Sequence, residues 1–174
     1  MDSTSEAVTQ IQYLTFQLSG EEYAISILSV REIIDFGTVT RVPRTPQFIR
    51  GVINLRGSMV PVIDLASKLG LPETVVTNRT CIVIVEVNLD GDRVLMGIVT
   101  DEVTQVLDLP SEEIEPPPAF GMQVKVDYLL GIGKVDKSFV LILDIDRVLS
   151  MSELSSAAML AAPSEEETQP NAAR

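Results

Sequence analysis

Any chemistry in this chain must come from a short list of side chains. Histidine is absent, which removes the commonest general base and metal ligand. Cys81 is the single cysteine, so an intrachain disulfide cannot form and a zinc site would need carboxylates with at most one thiolate. Asp90 with Asp92, and Asp144 with Asp146, are carboxylate pairs of a kind that can hold a cation, but each also fits a turn or a helix start. The glycines of "GIGKVDK" lack the spacing of a phosphate-cradling loop, and no Gly-x-x-x-x-Gly-Lys-Ser/Thr run occurs. A Ser–Lys or two-carboxylate site is the catalytic route left, and no motif asks for it. We expect no catalytic residues, no metal and no cofactor.

Arginine carries the clearer signal. The 174 residues bear a formal charge of −12, which argues against nucleic acid as a partner. Yet Arg31, Arg41, Arg44, Arg50 and Arg56 crowd into residues 31–56, against only Glu32 and Asp35 as acids. That segment reads either as a solvated face or as a basic docking site on an acidic body, suited to an acidic partner surface.

Arg56 interrupts an apolar run, "GVINLRGSMVPVIDL". An unpartnered buried guanidinium would be costly, and a tight turn that lifts it into water removes the cost. The pattern predicts a hairpin of Gly51–Leu55 and Met59–Leu65 joined through Asn54-Leu55-Arg56-Gly57, with glycine supplying the backbone angles of the turn. Pro61 has no N–H for a ladder, so the second strand is expected at an edge or with a bulge.

The surrounding elements are mostly strands. Aromatics are few and tryptophan is absent, so Val, Ile and Leu must fill the core. "IQYLTFQL" and "YAISIL" read as a hairpin. "SVREII" and "DEVTQVLDL" fit a strand or a short helix equally. "TRVPRTPQFIRG" and "PSEEIEPPPAF" read as proline-rich loops. "DLASKLG" predicts a short helix capped by Asp64 and ended by Gly70. "RTCIVIVEVN" predicts a central strand with Cys81 buried in it, and Asp90-Gly91 marks the hairpin to "VLMGIVT". The segments 1–10 and 160–174 are polar and expected to be flexible. No signal peptide or membrane-spanning run is seen, which predicts a soluble cytoplasmic protein.

The chain also repeats itself. Residues 51–69 align with 131–149 without a gap, with Gly51/Gly131, Ser58/Ser138, Val60/Val140, Asp64/Asp144 and Leu69/Leu149 identical. Upstream, "AISILSVREII" matches "GIVTDEVTQVL" at an offset of 73. The duplication, about 23–69 and 94–149, predicts two similar all-β lobes within residues 11–150. Each lobe alone would have a marginal core, so the two are expected to share an apolar seam, with a groove between them as a docking place. Where the first copy has Asn54, Arg56 and Gly57, the second has Lys134, Asp136 and Lys137. The lobe does not require Arg56.

"EEYAISILSVREII", "RVPRTPQFIRGVINLRGSMVPVIDL", "MGIVTDEVTQVL" and "YLLGIGKVDKSFVLILDIDRVL" together resemble the bacterial chemotaxis coupling family, CheW. The resemblance spans about residues 11–150, and the "RGVINLRGxxVPVIDL" block is its most specific part. It implies an all-β fold of two SH3-like five-stranded β-barrels packed together, with short helices and a flexible C-terminal tail. It also implies a scaffold without catalysis that couples a CheA-type histidine kinase to the cytoplasmic tips of methyl-accepting chemoreceptors. Such a protein is cytoplasmic, recruited to membrane-associated arrays without inserting in the membrane.

Carried over by position, the resemblance puts Val30, Glu32, Asn54 and Arg56 at the receptor, with Gly51 and Gly57 shaping the backbone and Arg41 and Arg50 in support. Ile33, Ile34 and Phe36 are the expected kinase-facing positions. The plain alternatives are a core role for Val30, whose repeat partner is Val103, and solvated surface for Glu32. No receiver domain follows, unlike the two-domain CheV type, and the acidic tail has no counterpart in the adaptor role. An adaptor in a twitching or gene-expression pathway fits the same residues. A ligand-binding barrel would instead need an enclosed pocket with convergent polar groups.

Overall fold

The structure is a computed structural model describing residues 10–89, 91–117 and 128–149. The chain runs through β1 (Gln10–Leu18), β2 (Glu21–Ser26), a 3₁₀ turn (Ile27–Ser29), β3 (Val30–Asp35), β4 (Ile49–Leu55), β5 (Ser58–Asp64) and α1 (Leu65–Lys68). It continues through β6 (Cys81–Leu89), β7 (Asp92–Thr100), β8 (Glu102–Pro110), a second 3₁₀ turn (Ser111–Glu113), β9 (Ile114–Glu115), β10 (Leu129–Val135), β11 (Ser138–Leu143) and α2 (Ile145–Val148). "SVREII" and "DEVTQVLDL" both resolve as strand. The proline-rich segment after β8 is part structured, because β9 lies in it.

The strands form two sheets, in the orders β9-β10-β11-β2-β1-β8 and β3-β6-β7-β5-β4. Both close. The chain beyond β3 reaches Thr40, which exchanges two 2.8 Å backbone hydrogen bonds with Val52 of β4 at the opposite edge. The chain beyond β8 turns into β9, which pairs with β10 at the opposite edge. Each sheet is therefore an SH3-like barrel of five strands, with β9 the returning end of β8.

Closure explains the shared glycine. Gly51 and Gly131 each follow a register shift at the start of their strand. A Cβ on Gly51 would lie 2.2 Å from the Thr40 carbonyl oxygen, and one on Gly131 would lie 2.7 Å from that of Glu115. Only glycine lets the two backbones meet at that distance.

The duplication suggested one lobe per copy. In the structure, each barrel takes strands from both copies. β2 of the first copy pairs in parallel with β11 of the second, with β1, which precedes the copy, on its other side; β7 of the second copy pairs in parallel with β5 of the first, with β6, which lies between the copies, on its other side. The two copies still match locally: residues 51–60 and 131–140 have the same sequence of buried, half-buried and exposed positions. Asp64 and Asp144 each cap their helix by accepting a hydrogen bond at 3.2 Å, from the Ser67 and Arg147 amides.

Three apolar clusters hold the fold. One fills the β3–β7 barrel around Ile53, Val62, Ile82 and Ile84, and a smaller one fills the other barrel around Tyr13, Leu109 and Ile142. The largest lies between them, where Phe16, Tyr23 and Ile25 meet Ile63, Val83, Val85, Met96 and Ile98. The predicted seam is thus a packed core rather than an open groove, and it makes the barrels one folding unit.

Two local expectations are corrected. β5 is an interior strand, not an edge, and its pair is regular at Pro61. Val52, opposite Pro61, spends its own polar groups on Thr40. The missing N–H of Pro61 therefore faces β7, where the parallel ladder starts only at Val62. Cys81 opens β6 but is half-buried, and burial with the nearby Asp35 charge pushes its thiol pKa up.

Candidate functional site

The turn between β4 and β5 is built by its residue types. Arg56 and Gly57 both have positive φ, 50° and 90°, the requirement of a two-residue turn matched to strand twist. The Asn54 side-chain oxygen accepts the Gly57 amide at 2.7 Å and locks it. Asn88 does the same for Gly91 at 3.0 Å in the β6–β7 hairpin; Asp90, between them, lies outside the described residues. Positive φ is unfavourable for arginine. The second copy meets it with Asp136, at φ 54°, a residue better suited to it. The arginine side chain is thus not chosen by its backbone.

Arg56 reaches across to β3. Its Nη2 donates to Oε1 of Glu32, and its Nη1 donates to Oε2 at 3.2 Å, a bidentate pair between two segments 24 residues apart. Both side chains are accessible, 71% for Arg56 and 29% for Glu32. An exposed pair of this kind adds little stability. What it fixes is the shape and charge of a surface.

The hydrogen bond from Arg56 holds the Glu32 carboxyl below its usual pKa, with the guanidinium charge acting in the same direction. Since the folded value is lowered, the pair is intact above the ordinary glutamate range and is lost only as pH falls through that lowered value. A carbon-13 titration of the Glu32 carboxyl should therefore show a midpoint below that of free glutamate, and Arg56→Gln should move it up. An unshifted wild-type midpoint would mean the pair does not persist in solution.

β3 adds a second node to the same surface. Val30 pairs with Val85 but Glu32 pairs with Ile84, so Arg31 is the extra residue of a bulge. Bulges re-aim side chains. Here Arg31 Nε reaches Glu86 of β6 at 2.9 Å, and Arg93 of β7 reaches the same carboxylate at 3.4 Å. Sequence reading missed Glu86 and Arg93, because only the β3–β6–β7 register brings them to Arg31.

The other expected site residues are placed as follows. Val30 is half-buried against the seam core. Asn54 is exposed but serves the turn, and Gly51 serves barrel closure. Arg41 is exposed beside the closing Thr40. Arg50 is turned away: only 12% of its side chain is exposed, and it donates to the fully buried Asp64 at 2.9 Å, to Glu73 at 3.2 Å and to the Thr74 carbonyl at 3.2 Å. It also covers the Phe36 ring, 5.5 Å from its centroid. Arg50 sits at the opposite end of β4 from Arg56 and ties the loop after α1 to the barrel. Of the three apolar positions expected at the kinase, Ile33 is 43% exposed, while Ile34 and Phe36 pack against the barrel interior.

Asp144 and Asp146 are accounted for as a helix cap and as the acceptor of the Asn88 amide at 3.1 Å. Among the described residues, no group of three His, Cys, Asp or Glu is placed to hold a metal ion, and no helix is long and apolar enough to cross a membrane.

Comparison with known proteins agrees with this geometry. The family model described as CheW-like domain matches residues 12–153. The chain is 40% identical over 144 residues to a chemotaxis protein CheW of Klebsiella aerogenes, covering 83% of this chain and 84% of that one. It is 36% identical over 155 residues to a chemotaxis protein CheW of Bacillus subtilis, covering 88% and 96%. The crystal structure of the scaffolding protein TtCheW from Thermoanaerobacter tengcongensis superposes with a TM-score of 0.73 at 31% identity, covering 82% of this chain and 90% of that one. With its two closed barrels, its packed seam and its Arg56 turn, the chain belongs to the CheW-like domain family.

Proposed function

We propose that this protein is a non-catalytic adaptor that couples the cytoplasmic tips of chemoreceptors to a CheA-type histidine kinase. The observation that carries the reading is the Glu32–Arg56 pair. It joins two segments, distant in sequence, into one exposed surface that neither backbone geometry nor stability requires. Family membership supports the scaffold role. The filled barrel interiors and seam count against the ligand-binding barrel.

In this reading the receptor helix docks at Glu32 and Arg56, with Val30 at the margin, and Ile33 offers apolar surface to the kinase. The protein works in the cytoplasm, at receptor arrays, by holding two partners together. Arg56→Glu would reverse the charge of the turn and set two carboxylates face to face. The expected result is about a tenfold or greater loss of affinity for a soluble receptor-tip fragment by calorimetry, with thermal unfolding little changed because the Arg56 side chain is 71% exposed and a pair of this kind adds little stability. Wild-type affinity in a folded Arg56→Glu protein would take Arg56 out of the site.

A further inference from the structure

We propose that Arg31, Glu86 and Arg93 form a second docking node beside Glu32 and Arg56, and that it takes a carboxylate-bearing stretch of the receptor helix. This rests on the receptor-docking reading above. The bulge sets Arg31 and Glu32 as neighbours that reach different partners on one surface. Glu32 lies opposite Ile84 of β6, and Glu86 is two residues further along the same face of that strand. Leu95, opposite Glu86, packs in the barrel interior, so Glu86 is on the interior-facing side of β6, at the end of the barrel.

The surface thus collects three guanidinium groups and two carboxylates, a net charge of +1 on a body of −12. The stoichiometry differs between the nodes. Arg56 has a carboxylate to itself, whereas Arg31 and Arg93, 58% and 72% exposed, share Glu86. The second node is therefore under-neutralised and offers charge to an incoming carboxylate. At physiological salt the acidic body is screened beyond about 8 Å, so this local excess governs contact. Glu86 plays two parts: it holds the arginines at the barrel end, and it competes with the incoming group.

The test titrates a soluble helical-hairpin fragment of a chemoreceptor tip into wild type, Arg31→Gln/Arg93→Gln, Glu86→Gln and Arg56→Glu. The double variant should bind about tenfold more weakly. Glu86→Gln should bind more tightly than wild type, and both differences should shrink in high salt. All the altered side chains are at least partly exposed, and circular dichroism will confirm that each variant folds. If Arg56→Glu weakens binding while the double variant stays within twofold of wild type, the second node is wrong and the receptor reading stands. If neither has an effect, or wild type does not bind, both fail. Weaker binding by Glu86→Gln, or loss of kinase affinity rather than receptor affinity in the double variant, would also overturn the node as described.

Discussion

Gly51→Ala should destabilise the protein by about 3 kcal/mol, lowering the melting temperature by roughly 6–12 °C. The new Cβ would sit 2.2 Å from the Thr40 carbonyl oxygen, 2.8 Å from its carbon and 2.9 Å from the Val39 side chain. Two of those three atoms are backbone, so no rotamer change relieves the clash. Gly51 also has φ 146°, a conformation that alanine resists. Either the Thr40–Val52 hydrogen bonds break and the barrel opens, or β4 shifts and carries the Arg56 turn with it. The control is Gly57→Ala. Gly57 has φ 90° but open space where its Cβ would go, so only conformational strain is added, about 1 kcal/mol. Denaturant unfolding of the two variants separates steric closure from turn strain. Equal losses would mean that Gly51 is needed for its φ alone.

The second large effect is expected at Arg50. Its partner Asp64 is fully buried and is also held by the Ser67 and Thr74 amides, at 3.2 and 3.1 Å. Arg50→Leu places in the first copy the residue that the second has at Leu130, but it leaves the Asp64 charge buried without its cation. The expected loss is about 3–5 kcal/mol in urea unfolding. Arg50→Lys should recover only part of it, since one point charge cannot serve Asp64, Glu73 and the Thr74 carbonyl in a fixed fork. Adding Asp64→Asn to Arg50→Leu should also recover part, because the uncompensated charge goes while a side-chain oxygen stays to cap α1. Arg41→Leu, on the exposed loop, should change stability by no more than about 0.5 kcal/mol. A comparable loss from Arg41→Leu would contradict the assignment of Arg50 as the buried member of the arginine cluster.

The arginine cluster shows how far the sequence could be read. Charge and spacing marked residues 31–56 as unusual, but they could not separate Arg50 from Arg56. That separation depends on the burial of Asp64, which no local pattern reveals. The Arg56 turn was legible because Asn54 and Gly57 carry their own turn chemistry, whatever the rest of the fold does. Glu32 was reached through family resemblance alone, and its bidentate contact with Arg56 came only with the structure. Arg31 with Glu86 and Arg93 was out of reach, because a single extra residue in β3 sets that geometry and a bulge has no fixed signature.

The fold divides in the same way. Local hairpins followed from alternation and turn residues, and the helix caps followed from Asp64 and Asp144. The exchange of strands between copies did not, because it depends on two parallel contacts, β2 with β11 and β5 with β7, between segments far apart in the chain. The same contacts explain Pro61. A proline argued for an edge, and β5 does behave as an edge there, until its parallel ladder begins one residue later.

As an adaptor, this protein should hold receptor and kinase together. The most direct measurement is co-sedimentation of a purified CheA-type kinase with vesicles bearing chemoreceptors, with and without this protein and with Arg56→Glu in its place. Kinase should sediment with the vesicles only when the wild-type protein is present, and Arg56→Glu should leave it in the supernatant while still binding it. Kinase that sediments equally without the protein, or that stays in solution with it, would contradict the adaptor account.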